Sequence, residues 1–538
     1  MFKRENLRAF GAVLVCLLLF WCVAARGETI YIDADANGSG DGSSWTNAFN
    51  YLQDALADAN SNPDINEIRV AQGVYKPDAN SANPSGSFER TATFQLINGV
   101  SIYGGYAGFN EPDPNARDIQ VYETILSGDL DGNDIDVNDP FDLFNEPTRG
   151  ENSYHVVTSN GTNETAIMDG FTIKDGHAYD GSTMPNDRGG GMYNDSGRPI
   201  VTNCTFSANA AYRGGGMYNV DSNPNVTNCT FNWNAASNGG GMYNVRSSTI
   251  LKNCMFDGNW AVNRGGGVYN YFSSSPTIEN CIFTQNAGRL GGGINNRTNS
   301  SPIIKSCTLS GNSADTNGGG ICNEDSEATI INCILWADTP EEIYLDNSTV
   351  EITYSDVQGD WLGEGNIDID PCFADSDAND FRLQWDSPCI DTGDPCYIPG
   401  PNEKDLDGNP RIIGDVIDMG AYEYNPPIPA EVDIKPETLN LSSKGKWVTC
   451  YIRLPQEYDI NEIDPNSILL GDEDQIGAES VLIEQKRQVA VARFSRSDVQ
   501  QMLAGLGQLG QVELLISGEL TDNTAFEAVA VIKVVSGQ

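Results

Sequence analysis

Basic and imidazole side chains are scarce in this chain: its 538 residues carry 31 Lys and Arg against 75 Asp and Glu, with two His. The resulting net charge of −44 argues against nucleic acid and anionic membranes as partners, since both would be repelled. No C-x-x-C pair and no cluster of His with Cys occurs, which argues against a zinc site. Apolar runs are short beyond residue 24, so no membrane span is expected in the mature chain. Leucine is nearly missing from the middle of the sequence.

Glycine, by contrast, is plentiful and ordered. Triplets stand at Gly189–Gly191, Gly214–Gly216, Gly239–Gly241, Gly265–Gly267, Gly291–Gly293 and Gly318–Gly320, a step of 25 to 27 residues. Between them recurs Asn203-Cys204-Thr205-Phe206-x-x-Asn209, again from Asn228, Asn253 and Asn280, and more loosely at Cys307 and Cys333. A fixed period of this kind means identical units stacked along one axis. A leucine-rich repeat would need leucines and a helical return segment, and glycine triplets occupy the place of that segment. The remaining runs, such as Pro199-Ile200-Val201-Thr202, are short and rich in β-branched residues. The expected fold is all-β: a single-stranded right-handed parallel β-helix with an N-terminal cap helix, followed by a small C-terminal β-sandwich. Val201, Cys204 and Phe206 are expected to point inward. The repeating Asn residues form ladders, and the Cys residues stack as buried, mostly unpaired thiols.

The outer parts divide accordingly. Residues 1–27 read as a signal peptide: Lys3, Arg4 and Arg8 precede an apolar stretch from Ala9 to Ala24, with small residues at its exit. This predicts an exported protein, secreted or at the cell surface. Residues 28–64 supply a first strand and a cap, with an amphipathic helix predicted over Ala48–Asn60 that buries Phe49, Leu52, Leu56 and Ala59. The helical stack is assigned to 65–424, a Pro-rich linker to 425–429, and the β-sandwich to 430–538.

The alternation of Phe-x-x-Asn with Gly-Gly-Gly-Met resembles repeats of the polymorphic outer membrane proteins and related right-handed β-helix proteins of the pectin-lyase-like fold. The segments Pro371-Cys372-Phe373, Asp380-Phe381-Arg382-Leu383, Ser387-Pro388-Cys389-Ile390-Asp391 and Asp418-Met419-Gly420-Ala421-Tyr422-Glu423 are similar to the terminal module of the choice-of-anchor Q type. The resemblance implies export and a surface or secreted role. It does not imply barrel anchoring, because nothing here reads as an outer-membrane barrel.

Two functional readings follow. In the first, the protein is a non-catalytic monomer that binds polysaccharide or cell-surface glycan. Tyr193, Tyr218, Tyr243 and Tyr269 are expected to stand outward in a row beside a stripe of Arg188, Arg213 and Arg264. In the second, it is a polysaccharide lyase or glycoside hydrolase acting on acidic polysaccharide. The candidate catalytic residues are Asp175, His177, Asp180, Asp187 and Arg188, in the loop that interrupts the first regular rung. His177 nevertheless aligns with Ala210 and Ala235, a permissive repeat position, and His155 reads as structural. Ca²⁺ is the one cofactor suggested, at Asp129, Asp131, Asn133, Asp134 and Asp136. That turn alternates oxygen ligands but departs from the EF-hand pattern, with Asp134 where Gly is required.

Overall fold

The computed structural model describes residues 27–536, apart from 180–183, 457, 472–474, 506, 508 and 522–523. The predicted signal peptide thus lies almost wholly outside the described residues. The chain divides into two compact units, with the boundary between Glu423 and Tyr424.

In the first unit each period makes one rung of four short strands, for example Ile200–Thr202, Thr205–Ser207, Ala210–Arg213 and Met217–Val220. Equivalent strands pair in parallel from rung to rung, building four walls, here numbered I to IV in that order. Among the described residues these walls hold 11, ten, six and nine strands. The register keeps each repeat position in line: Val201 lies opposite Val226, Phe206 opposite Phe231, and Met217 opposite Met242.

Four corners turn each regular rung, and each contains one residue, or at two fourth corners two, in the left-handed region. In one rung these are Asn203 (φ 52°), Ala208 (φ 52°), Gly214 (φ 66°) and Asp221 (φ 50°). Asn tolerates this conformation through local hydrogen bonding, which explains its recurrence at the first corner. The third corner demands glycine on steric grounds too. A Cβ on Gly215 would sit 2.5 Å from Ala235 O and 2.6 Å from Gly240 O. The triplet is thus the closest approach between successive coils.

The lumen is filled by Val201, Cys204, Phe206 and Met217 and their counterparts in one continuous apolar core. Stacked rings of Phe206, Phe231, Phe256 and Phe283 are 4.7 to 4.8 Å apart, the strand spacing itself. Every cysteine of the described residues is a free thiol, as expected from in-register stacking. Helix Leu52–Ser61 buries Leu52, Ala55, Leu56 and Ala59 against the first strands. It starts later than predicted, because Phe49 is extended and pairs with Tyr31 and Asp33 through its backbone.

Three files of asparagine run along the axis. Asn209 donates from Nδ2 to Asn234 Oδ1, and so on through Asn259, Asn286 and Asn312 to Asp338 Oδ1. A second file in wall IV runs from Asn194 to Asn323 in the same direction. The corner file runs the other way, from Asn280 through Asn253 and Asn228 to Asn203 and then Asp169. Its first member accepts a hydrogen bond from the buried Arg411.

Asp338 is itself buried against Glu342, which accepts from the Asp338 amide at 3.0 Å. Desolvation, then the Asp338 charge, raises the Glu342 carboxyl far above the usual carboxylate range. A raised folded value contributes stability that is complete below about pH 4.3, the unfolded value, and is lost as pH rises through the folded value. Glu342→Gln should therefore flatten this loss. Thermal melts at pH 5 and pH 9 should fall less for the variant than for the wild type, and parallel falls would refute the assignment.

Residues 371–423 return along the outer face of wall II as a strap. Phe381 and Ala421 pack on Ile282, the Ala421 amide donates to Thr308 Oγ1 at 3.1 Å, and Gly420 donates to Asn332 O. The fully buried pair Arg411–Glu423, 3.3 Å apart, braces the strap internally, and Arg411 also donates to Asn280 Oδ1 on the stack. Wall II is thereby covered over its later rungs. The second unit sandwiches two mainly antiparallel sheets around Val448, Ile452, Phe494, Ile516, Phe526 and Ile532. Its helix spans Arg496–Gly505.

Candidate functional site

The earlier rungs of wall II carry no strap, and a different loop rises beside them. In the segment between the strands Thr124–Ser127 and Val157–Asn160, the 3₁₀ turn Pro140–Phe144 seats Leu143 and Phe144 on Ala210 and Ala235 of wall III. Between this loop and wall II lies a cleft of about 330 Å³, lined among others by Asp134, Val137, Lys174, Asp175, Ser207 and Trp233.

Arg149 organises the cleft from beneath. It is 1% exposed and its guanidinium lies 3.1 Å from Asp134 Oδ2 and 3.5 Å from Asp175 Oδ1, with a further bond to Ala208 O. Its own carbonyl lies 2.8 Å from His177 Nδ1. Lys174 reaches Asp175 at 3.4 Å from the open side. Asn152 donates from Nδ2 to Asp134 Oδ2 and to Asp175 O, both at 2.7 Å. Burial pushes the Asp134 carboxyl up to about 7, although Arg149 opposes the shift. Glu151 is raised too, mainly by burial.

The aromatic edge of the cleft is Trp233, at the second corner of its rung with φ 56°. Equivalent corners hold Ala208, Gly258 and Gln285. Its indole is 40% exposed, and Asn232 and Asp257 nearby on wall II each keep a buried oxygen without a hydrogen-bond partner. Beyond it Trp260 packs edge-on against Phe141 at 5.0 Å.

The residues singled out from sequence are distributed differently from the expectation. Asp175 and His177 join Arg149, His177 opposite Ala210 as aligned. Asp187 instead pairs with Arg188 at 3.2 Å, and Arg188 turns to donate to Tyr218 Oη at 2.8 Å. Asp180 lies outside the described residues. The remaining four therefore fall in two hydrogen-bonded groups, Asp175 and His177 at Arg149 in the cleft and the half-buried pair Asp187–Arg188.

The tyrosine row is in register, yet Tyr193, Tyr218, Tyr243 and Tyr269 are only 9, 2, 5 and 3% exposed. They face away from the lumen but sit in the concave corner that the glycine triplets create, where side chains from the end of wall III cover them. The Arg stripe is also in register, with Arg188 opposite Arg213, and Asn238 between Arg213 and Arg264. Arg264 is held by Glu324 at 2.7 Å, and Arg213 lies 5.5 Å from the Tyr212 ring. A stacked face of bare Tyr rings is thus replaced by a covered one.

The acidic turn closes on Asp129, whose carboxylate accepts from the amides of Gly132, Asn133 and Asp134. Asp131 and Asn133 bond to each other at the surface, 3.1 Å apart, so the alternating ligands do not converge. Asp136 lines the cleft. Asp129 and Asp134 meet Glu151 instead. The residues that sequence reasoning missed are Arg149, Glu151, Asn152, Lys174 and Trp233. Only Trp233 left a signal, as a bulky aromatic at a repeat position otherwise small or polar.

The class defined by this architecture is the right-handed parallel β-helix. The family model for a right-handed β-helix region matches residues 236–360. Among solved structures, the crystal structure of pectate lyase Pel9A is similar over 75% of this chain and 98% of that chain, with 14% identity and a TM-score of 0.36. No curated protein matches the chain. Among the described residues no helix is long and apolar enough to cross a membrane.

Proposed function

We propose that this is an exported β-helix protein, secreted or held at the cell surface, that binds a glycan chain in the cleft between the acidic loop and wall II. The observation that carries the reading is Trp233. An exposed indole at the rim of a polar cleft offers an apolar face to a sugar ring, while Lys174, Ser207 and Asp175 offer hydrogen bonds. The resemblance to polymorphic-outer-membrane-protein repeats and to a choice-of-anchor module supports export and a surface setting. The Arg and Tyr rows along the III–IV corner take a supporting part as scaffold in this reading.

The test is retention of the full chain on a panel of neutral and acidic polysaccharides, with Trp233→Ala beside the wild type. Binding by the wild type that falls about tenfold in the variant supports the cleft, on the scale of an anchor worth roughly 1–2 kcal/mol. Equal retention by both proteins refutes it.

One observation favours a second reading, cleavage of the bound chain. A carboxyl that titrates near neutrality, as at Asp134, is what general acid or base catalysis uses. Formation of new reducing ends or unsaturated uronate in the same assay, lost in Asp134→Asn, would establish a polysaccharide lyase or hydrolase in place of a binding protein.

A further inference from the structure

The acidic turn carries more oxygen than its own hydrogen bonds use. Asp129, Asp134 and Glu151 bring one carboxylate oxygen each to within 4.8 Å of one another. Oxygens bound to one cation at about 2.3–2.6 Å must all fall within about 5 Å of one another, and these three do. On Asp134 the two oxygens have different fates. Oδ2 is taken by Arg149 and by Asn152, whereas Oδ1 is buried and finds no partner.

A second observation comes from outside the carboxylates. Asn152 is fully buried and held against the cluster by its Nδ2, 2.7 Å from Asp134 Oδ2, yet its Oδ1 has no donor. Glu151 Oε1 is likewise buried and unpartnered. Three oxygens of different side chains, on residues that meet at this turn, are thus buried without a proton donor from the protein. Buried acceptors are normally satisfied, so a shared electrophile is the economical explanation.

We propose that Asp129, Asp134 and Glu151, with the Asn152 amide oxygen, bind a divalent cation of the hard, oxygen-seeking kind, Ca²⁺. The donors are carboxylates and an amide carbonyl, with no sulfur or imidazole ligand, which suits Ca²⁺ or Mg²⁺ over a transition metal. The set comes from an irregular turn and a following segment, and irregular oxygen cages favour Ca²⁺, since Mg²⁺ demands a near-ideal octahedron. Bound there, the ion ties the 129–134 turn to residues 151 and 152, just before the strand Val157–Asn160, and fixes the loop that walls the cleft. The inference concerns the loop and stands whether or not the cleft holds a glycan, but a cation on Asp134 would keep that carboxylate ionised, so it excludes proton transfer by Asp134.

The full chain, treated with chelator and dialysed, would be titrated with CaCl₂ and separately with MgCl₂ by calorimetry. The expected result is one site per chain that prefers Ca²⁺ and raises Tm. Glu151→Gln should weaken it by about tenfold or more. Asp131→Asn, at the exposed residue of the same turn, should leave it unchanged. The wild-type stoichiometry is read without any variant. Only diffuse weak binding spread over the acidic surface, or a site that Glu151→Gln leaves intact, overturns the proposal.

Discussion

Arg149→Met should cost about 3–5 kcal/mol, because it leaves two buried carboxylates without their buried cation, with only the half-exposed Lys174 still 3.4 Å from Asp175. Asp134 and Asp175 both reach the same guanidinium nitrogen, Nη1, with side chains 7% and 8% exposed. The attraction of the triad in water would be modest. Inside the protein the loss is dominated by desolvated charge that has lost its buried counter-charge. Methionine keeps much of the volume, so the effect tests charge more than packing. The damage should be local: amide hydrogens of residues 127–153 and 172–178 should exchange faster, while those of the later rungs stay protected. Uniform protection across the loop in the variant would show that the guanidinium is dispensable.

The second large effect is expected at Asn259→Leu. Asn259 Oδ1 accepts from both the backbone amide and Nδ2 of Asn234, and its own Nδ2 donates to Phe231 O and to Asn286 Oδ1. All of this happens at zero exposure. Leucine fills the space but leaves the buried Asn234 amide unsatisfied and removes the side-chain bonds to Phe231 O and Asn286 Oδ1, for roughly 2–4 kcal/mol together. Because each coil contacts chiefly its neighbours, the loss should centre on the rungs of Asn234 and Asn286 and fade with distance. Hydrogen exchange read rung by rung checks this. A loss spread evenly from the first rung to the last would contradict the nearest-neighbour picture.

The repeated part of the fold was legible because its corners impose residue types. Gly214 and Asn203 sit in left-handed backbone that only a few residues enter cheaply, and Gly215 faces a carbonyl where no Cβ fits. Such constraints recur each turn and print a period on the sequence. The second and fourth corners impose less: Ala208, Trp233, Arg246 and Phe272 all adopt positive φ there. Those positions are free to vary, and Trp233 is the example that matters for the cleft. The strap was not legible as such: its motif residues Phe381, Asp418, Ala421 and Glu423 are all buried, but the sequence carries no period there to show that the segment returns along wall II.

The site was mostly illegible. Arg149, Glu151 and Asn152 belong to a loop without period, and their roles arise from approach to Asp175, at the corner after the strand Thr172–Lys174. The Tyr row failed in a different way. Alternation told correctly that Tyr218 faces away from the lumen, but a concave corner lets Arg188 close over it. Period two distinguishes the two faces of a strand and says nothing about what lies beyond the outer one.

The asparagine files also have polarity. Each amide passes its proton donor to the next, so its dipoles align head to tail, and the two ends of a file differ as the poles of a magnet do. The corner file makes this plain: it begins at the positive Arg411 and ends at the negative Asp169. The lumen-side file ends at Asp338, an acceptor with no amide protons to place. Such a chain can be lengthened or shortened by whole links without disturbing its ends, whereas a fractional link would set donor against donor. The number of coils in this protein is therefore free to drift over evolutionary time, provided that it changes by whole periods and that the charged stops stay where the file ends.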